Sequence, residues 1–220
     1  MISFNHSIIQ SSIIHMRKFI FSLALLMAAT SLFAESKSII PSEILKNKKA
    51  KYDEASNTII FEEGFKLGMT KGYLIFVSDG DLRFLLKGNA EFRASLLVEG
   101  NLIIDSEGDY TLSVTSNITG SALRCAALQV NKGTTLNLLS RNSRDAMFAL
   151  DCRDITVNEA TLLAEVTTAN ISVYTERLTL NGCKLEKPKG GIVNKEKGCI
   201  CFGDGIPAKI VRITPDSKKK

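Results

Sequence analysis

Phe148-Ala-Leu-Asp-Cys-Arg-Asp-Ile-Thr-Val157-Asn-Glu-Ala-Thr-Leu162 is followed, 23 positions on, by Ile171-Ser-Val-Tyr-Thr-Glu-Arg-Leu-Thr-Leu180-Asn-Gly-Cys-Lys-Leu185. Leu150 and Val173, Ile155 and Leu178, Val157 and Leu180, Asn158 and Asn181, and Leu162 and Leu185 all share that spacing. Each copy alternates apolar and polar residues in short runs rich in Val, Ile, Leu and Thr. That is the period of a strand with one buried face. A unit this small cannot bury its own apolar face, so successive units are expected to stack. Ile155 then lies under Leu178, Val157 under Leu180 and Leu162 under Leu185. Each fully buried aliphatic side chain contributes roughly 1.5–3 kcal/mol. Asn158 and Asn181 are expected at a sharp corner, because Asn tolerates left-handed backbone and stacked amides form hydrogen-bonded ladders.

Two short strands, an Asn corner and a third strand resemble the coil of a right-handed parallel β-helix. The fold expected is all-β: a single-stranded right-handed parallel β-helix (solenoid) over 52–186 with a C-terminal capping hairpin in 187–214. In register, Arg153 meets Glu176 and Asp154 meets Arg177, which reads as charge pairing between neighbouring coils.

Outward from the repeat, strand signals are dense from Tyr73. Tyr73–Val77, Leu82–Phe84, Ala90–Phe92, Ser95–Val98 and Asn101–Ile104 precede Tyr110–Thr115, Leu128–Val130 and Leu136–Leu138. Leu82 to Leu102 spans 20 residues, and so does Val130 to Leu150. Between Leu102 and Leu136 the register slips, which predicts an extended coil. Residues 62–72, with Gly64, Gly68 and Gly72, read as a loop or irregular coil; their spacing fits neither nucleotide-binding glycine motif. Residues 35–51 read as a linker or N-terminal cap, and 215–220 as a basic tail.

Residues 1–34 stand apart. Met16-Arg-Lys18, the 11-residue apolar run Phe19–Ala29 and the small residue Ala34 make 16–34 a signal peptide. Residues 1–15 then precede the natural start. A membrane anchor is the alternative, but the run is short beside the ~20 residues a spanning helix needs. The expected location is therefore exported: periplasmic, cell-surface or secreted. Cleavage removes Arg17, Lys18 and both histidines. It leaves 26 basic against 23 acidic residues, a net +3, too weak and scattered for nucleic-acid binding.

Five cysteines remain: Cys125, Cys152, Cys183, Cys199 and Cys201. The odd number leaves at least one thiol free or paired between molecules. Buried reduced thiols are favoured over a disulfide framework, with Cys183 as a small core residue. Cys199 and Cys201 on one strand face sit about 6.6 Å apart, at the limit of a disulfide.

Chemistry-bearing residues are sparse. Asp105-Ser-Glu-Gly-Asp109 fails the calcium-loop pattern, since Tyr110 and Ser116 stand where Gly and Glu are needed. Asn117 and Asn170 begin sequons of a frequent kind. Asp79, Asp81, Asp105, Asp151 and Asp154 could supply a carboxylate pair, and Arg153 with Asp154 or Arg177 is the one constellation a lyase could use. No His is available as a base, and no G-x-S-x-G elbow occurs. No catalytic, metal or cofactor residues are therefore assigned.

After Glu186 the repeat stops at Lys187-Pro-Lys-Gly-Gly191. Gly198-Cys-Ile-Cys-Phe202 and Ala208-Lys-Ile-Val-Arg-Ile213 read as two strands around the turn Gly203–Pro207. A repeat array ending in a Gly-Gly break and an Asp-Gly-x-Pro-Ala-Lys strand resembles the C-termini of secreted Bacteroidota repeat proteins of unassigned role. The function expected is an exported, non-catalytic module with a structural, adhesive or glycan-binding role. Its partner would be a glycan or a cell-surface protein. A small polysaccharide lyase or glycoside hydrolase is the alternative.

Overall fold

The computed structural model describes residues 38–216 other than 79, 117–119, 142–147 and 169–170, all within one compact unit, Ser38–Lys220. The upstream segment 1–15, the expected signal peptide 16–34, Asp79, both sequon asparagines and the tail beyond Asp216 lie outside the described residues.

The chain winds as a parallel β-solenoid of about five turns. Each complete coil has three faces. The first stacks Tyr73–Val77, Ser95–Glu99, the first halves of Leu123–Val130 and Leu150–Asn158, and Val173–Tyr174. The second stacks Thr58–Glu62, Leu82–Lys87, Asn101–Ser106, the second halves of the same two long strands, and Arg177–Asn181. The third stacks Phe65–Leu67, Ala90–Phe92, Tyr110–Ser116, Thr134–Ser140 and Thr161–Val166. All of these ladders are parallel. The first two faces bend into each other at Gly100, Ala126, Arg153 and Glu176. There the Ala126 amide donates to the Gly100 carbonyl (2.8 Å) and that of Glu176 to Arg153 (3.0 Å).

The expected columns exist on the second face. Ile155 pairs with Leu178 and Val157 with Leu180, and Leu128 and Val130 extend both columns downward. Side chains alternate inward and outward, as the pleat requires, and the inward ones are mostly apolar, with Thr134 and Ser140 among the buried polar exceptions. Thr134–Ser140 alternates strictly, with Leu136 and Leu138 buried and Thr135, Asn137 and Leu139 only partly so. Toward the N-terminus the core turns aromatic. Phe61 meets Phe65, Phe84 and Phe92 edge-on, with centroids 4.8, 5.2 and 5.5 Å apart. That geometry sets ring edges against the electron-rich faces of neighbours.

Four details depart from the sequence reading. Leu162 does not lie under Leu185: Ile210–Pro215 threads antiparallel between their strands, so Ile213 faces both leucines. Val130 pairs with Val157, and Leu150 with Leu123, a 27-residue winding rather than 20. The left-handed corner residue is not the Asn but a later one: Gly133 (φ 79°), Glu159 (φ 45°) and Gly182 (φ 62°) hold equivalent places. Finally, Phe65–Leu67 in the glycine-rich stretch is a regular strand with Phe65 fully buried.

The amide ladder forms and is longer than expected. Asn181 Nδ2 donates to Asn158 Oδ1 (2.7 Å), Asn158 to Asn131 (2.7 Å), and Asn131 to Asp105 (2.6 Å). Arg83 closes the row on Asp105 at 3.0 Å.

Both ends are partly covered. At the N-terminal end Ser42–Leu45 forms one helical turn that buries Ile44, and Ala50–Asp53 pairs antiparallel with Thr58–Glu62. The parallel coils therefore begin at Thr58. At the other end the hairpin is Ile192–Asn194 with Cys199–Cys201, which joins the first face through Tyr174. The two strands anticipated around Gly203–Pro207 part company. An isolated bridge links Cys201 to Pro207, and Ile210–Pro215 then crosses to the third face. Antiparallel strands thus cover the second face at the N-terminal end and the first and third faces at the C-terminal end, which blocks edge-to-edge growth there; among the described residues Phe65–Leu67 and Arg177–Asn181 each keep one strand edge without a ladder partner.

Candidate functional site

Where the first two faces meet at the C-terminal end, Arg153, Glu176, Arg177 and Lys195 line an open cleft of about 470 Å³. Two adjacent coils and the cap supply these residues. Arg153 sits at the corner of the long strand Leu150–Asn158, and Glu176 and Arg177 stand in equivalent places one coil on. Lys195 comes from the turn of the capping hairpin. The Thr175 amide donates to the Gly198 carbonyl at 2.9 Å and anchors that turn to the coil.

Asp154 is the electrostatic pivot. Arg177 grips its carboxylate through Nε and through Nη2 (2.8 Å), and Arg153 Nε approaches at 3.2 Å. These hydrogen bonds, Arg177's first, pull the Asp154 carboxyl down to about 2. Arg177 is raised in turn by the same partner. The pairing expected between Asp154 and Arg177 is present, whereas Arg153 turns to Asp154 on its own strand. Three cations against Glu176 and Asp154 leave the cleft positive.

The other carboxylates are engaged elsewhere. Asp81 accepts from Asn101 (2.8 Å), and Asp105 from Asn131 and Arg83. Asp151 pairs with Arg124 at 3.2 Å; burial nonetheless pushes its carboxyl up, against the arginine's pull. Asp81 and Asp154 do line one groove of about 140 Å³ across the second face. Beside Asp151, Tyr174 packs against Phe148 with ring centroids 5.5 Å apart. Sequence reasoning missed this pair, although Tyr174 sits two positions before Glu176 in the quoted repeat.

All five cysteines are buried and free. Cys152 stacks on Cys125, Sγ to Sγ 3.6 Å, a match hidden by the 20-residue spacing. The Cys152 contact and burial raise the Cys125 thiol well above its ordinary range. Cys199 and Cys201 lie 3.3 Å apart, and burial, then Cys201, pushes the Cys199 thiol up to about 11. Such thiols are poor nucleophiles. Among the described residues no cluster of three or more His, Cys, Asp or Glu side chains could hold a metal ion. No helix among them is long and apolar enough to cross a membrane. Compared with known proteins, the chain matches no family model, no curated protein and no solved structure.

Proposed function

We propose that this protein is an exported, non-catalytic recognition module that binds an acidic glycan at the corner cleft. The observation that carries the reading is the convergence of Arg153, Arg177 and Lys195 on one open cleft. Arg177 spends Nε and Nη2 on Asp154, so Lys195 and the remaining N–H donors of the two arginines are the groups offered to a glycan carboxylate. The Phe148–Tyr174 pair on the neighbouring row offers an apolar ring surface of the kind sugar rings pack on. Stacked flat faces suit an extended polymer.

A lyase or hydrolase is the weaker reading. Asp154, held ionised by two arginines, has no proton to give at neutral pH and is a feeble base. Glycoside hydrolysis needs one carboxyl protonated and another ionised.

Affinity electrophoresis of residues 35–220 through polygalacturonate, alginate and neutral glucan gels tests the reading. Retardation is expected on the acidic polymers alone, and Arg153→Ala with Lys195→Ala should abolish it. Equal mobility in all gels would refute glycan binding. Unsaturated or reducing ends that disappear in Asp154→Ala would make the protein an enzyme.

A further inference from the structure

The C-terminal cap carries a surface that the cleft does not explain. Phe202, Ile206 and Ile210 are 45%, 59% and 37% exposed. With Pro188 and Pro207 they line a depression of about 590 Å³, edged by Lys187, Lys189 and Lys209. The turn that presents them is tightly built. The Phe202 amide donates to the Ile206 carbonyl (2.8 Å), that of Gly205 to Phe202 (2.9 Å), and Lys197 Nζ to the Gly205 carbonyl (2.7 Å). Glu186, the acid at the edge, is paired with Arg212 at 3.3 Å. Among the described residues Lys187, Lys189 and Lys209 make no ion pair, so their charge faces outward.

Charge is also segregated along the chain. Residues 183–214 hold seven Lys and Arg against three Asp and Glu, a net +4; residues 50–182 hold 12 against 17, a net −5. Apolar tips ringed by unpaired lysines suit a boundary with hydrocarbon below and anionic head groups around it. Two caps set face to face would bring +4 against +4, which disfavours a second copy of this surface.

We propose that the cap docks the solenoid end-on to an anionic lipid bilayer, with Phe202, Ile206 and Ile210 at the acyl boundary and the lysines on lipid phosphates. The acidic coils are thereby held off the membrane. Because it uses other residues, docking stands or falls independently of glycan binding.

Co-sedimentation of residues 35–220, which contain the whole compact unit, with phosphatidylglycerol–phosphatidylcholine vesicles (1:1) is the test. Binding is expected there, with at least a tenfold loss on pure phosphatidylcholine or in 0.5 M salt. Phe202→Ser with Ile206→Ser should weaken it at least tenfold, as should Lys187→Glu with Lys189→Glu and Lys209→Glu. Lys46→Glu with Lys48→Glu at the opposite end should leave it within twofold. All these positions are exposed, and unchanged urea midpoints verify that the variants fold. No vesicle binding, binding indifferent to the Phe202 and Ile206 changes, or a dimer that those changes dissolve would each overturn the proposal.

Discussion

Truncating one column of the core tests the stacking directly. Leu128, Ile155 and Leu178 lie one above another, and only Leu178, on the last coil, is partly exposed. Ile155→Ala removes three carbons from a site with apolar neighbours above and below. At ~0.8 kcal/mol per methylene the transfer loss alone is about 2.4 kcal/mol. The unfilled cavity brings the expected cost to about 3–5 kcal/mol. Leu178→Ala opens onto solvent and the cap, so its cost should fall to about 1–2 kcal/mol. The double variant should deviate from the sum by at least ~0.5 kcal/mol, because contacting residues couple. Urea unfolding, followed by circular dichroism, measures all three. Ile155→Asp should unfold the protein, while Thr156→Asp, which faces the groove, should be tolerated. Equal costs at 155 and 178, or equal damage from the two aspartates, would refute inward columns.

Gly133→Ala should lose about 2 kcal/mol by the same assay: φ is 79°, and an added Cβ would meet the Gly108 carbonyl oxygen at 2.7 Å. Asn158→Ala breaks two rungs of the amide ladder and should cost about 1–3 kcal/mol, most of it shared with Asn131 in a double-mutant cycle. Asp154 has a folded pKa of about 2, below its ordinary 3.8. Its contribution is therefore complete above the unfolded value and is lost as pH falls from about 4 through about 2. Asp154→Asn should flatten that part of the acid-unfolding curve. In the native protein the five thiols should resist iodoacetamide at pH 8 and react only once urea unfolds the chain.

The repeat was legible wherever strands of adjacent coils differ by substitution alone, as in Ile155–Asn158 and Leu178–Asn181. It failed where coils lengthen. The windings that join Leu102 to Leu128 and Leu123 to Leu150 take 26 and 27 residues. The added length lies in connections that carry no periodic signal, so Cys125 over Cys152 went unseen. The cleft was half legible: Asp154 and Arg177 share the repeat position, whereas Lys195 arrives through a hairpin that is not part of the repeat. Nor does alternation of apolar residues reveal that Ile210–Pro215 runs antiparallel between two parallel layers. Direction is set by chain connectivity, to which a period of two is blind.

That inserted strand makes the array finite by construction. A further winding added after Val166 would have to evict Ile210–Pro215 from the ladder it fills. Lengthening by duplication is therefore open only upstream, among the middle turns. During synthesis, too, the third face beyond Thr161–Val166 stays unzipped until Ile210–Pro215 emerges, so this layer zips out of chain order.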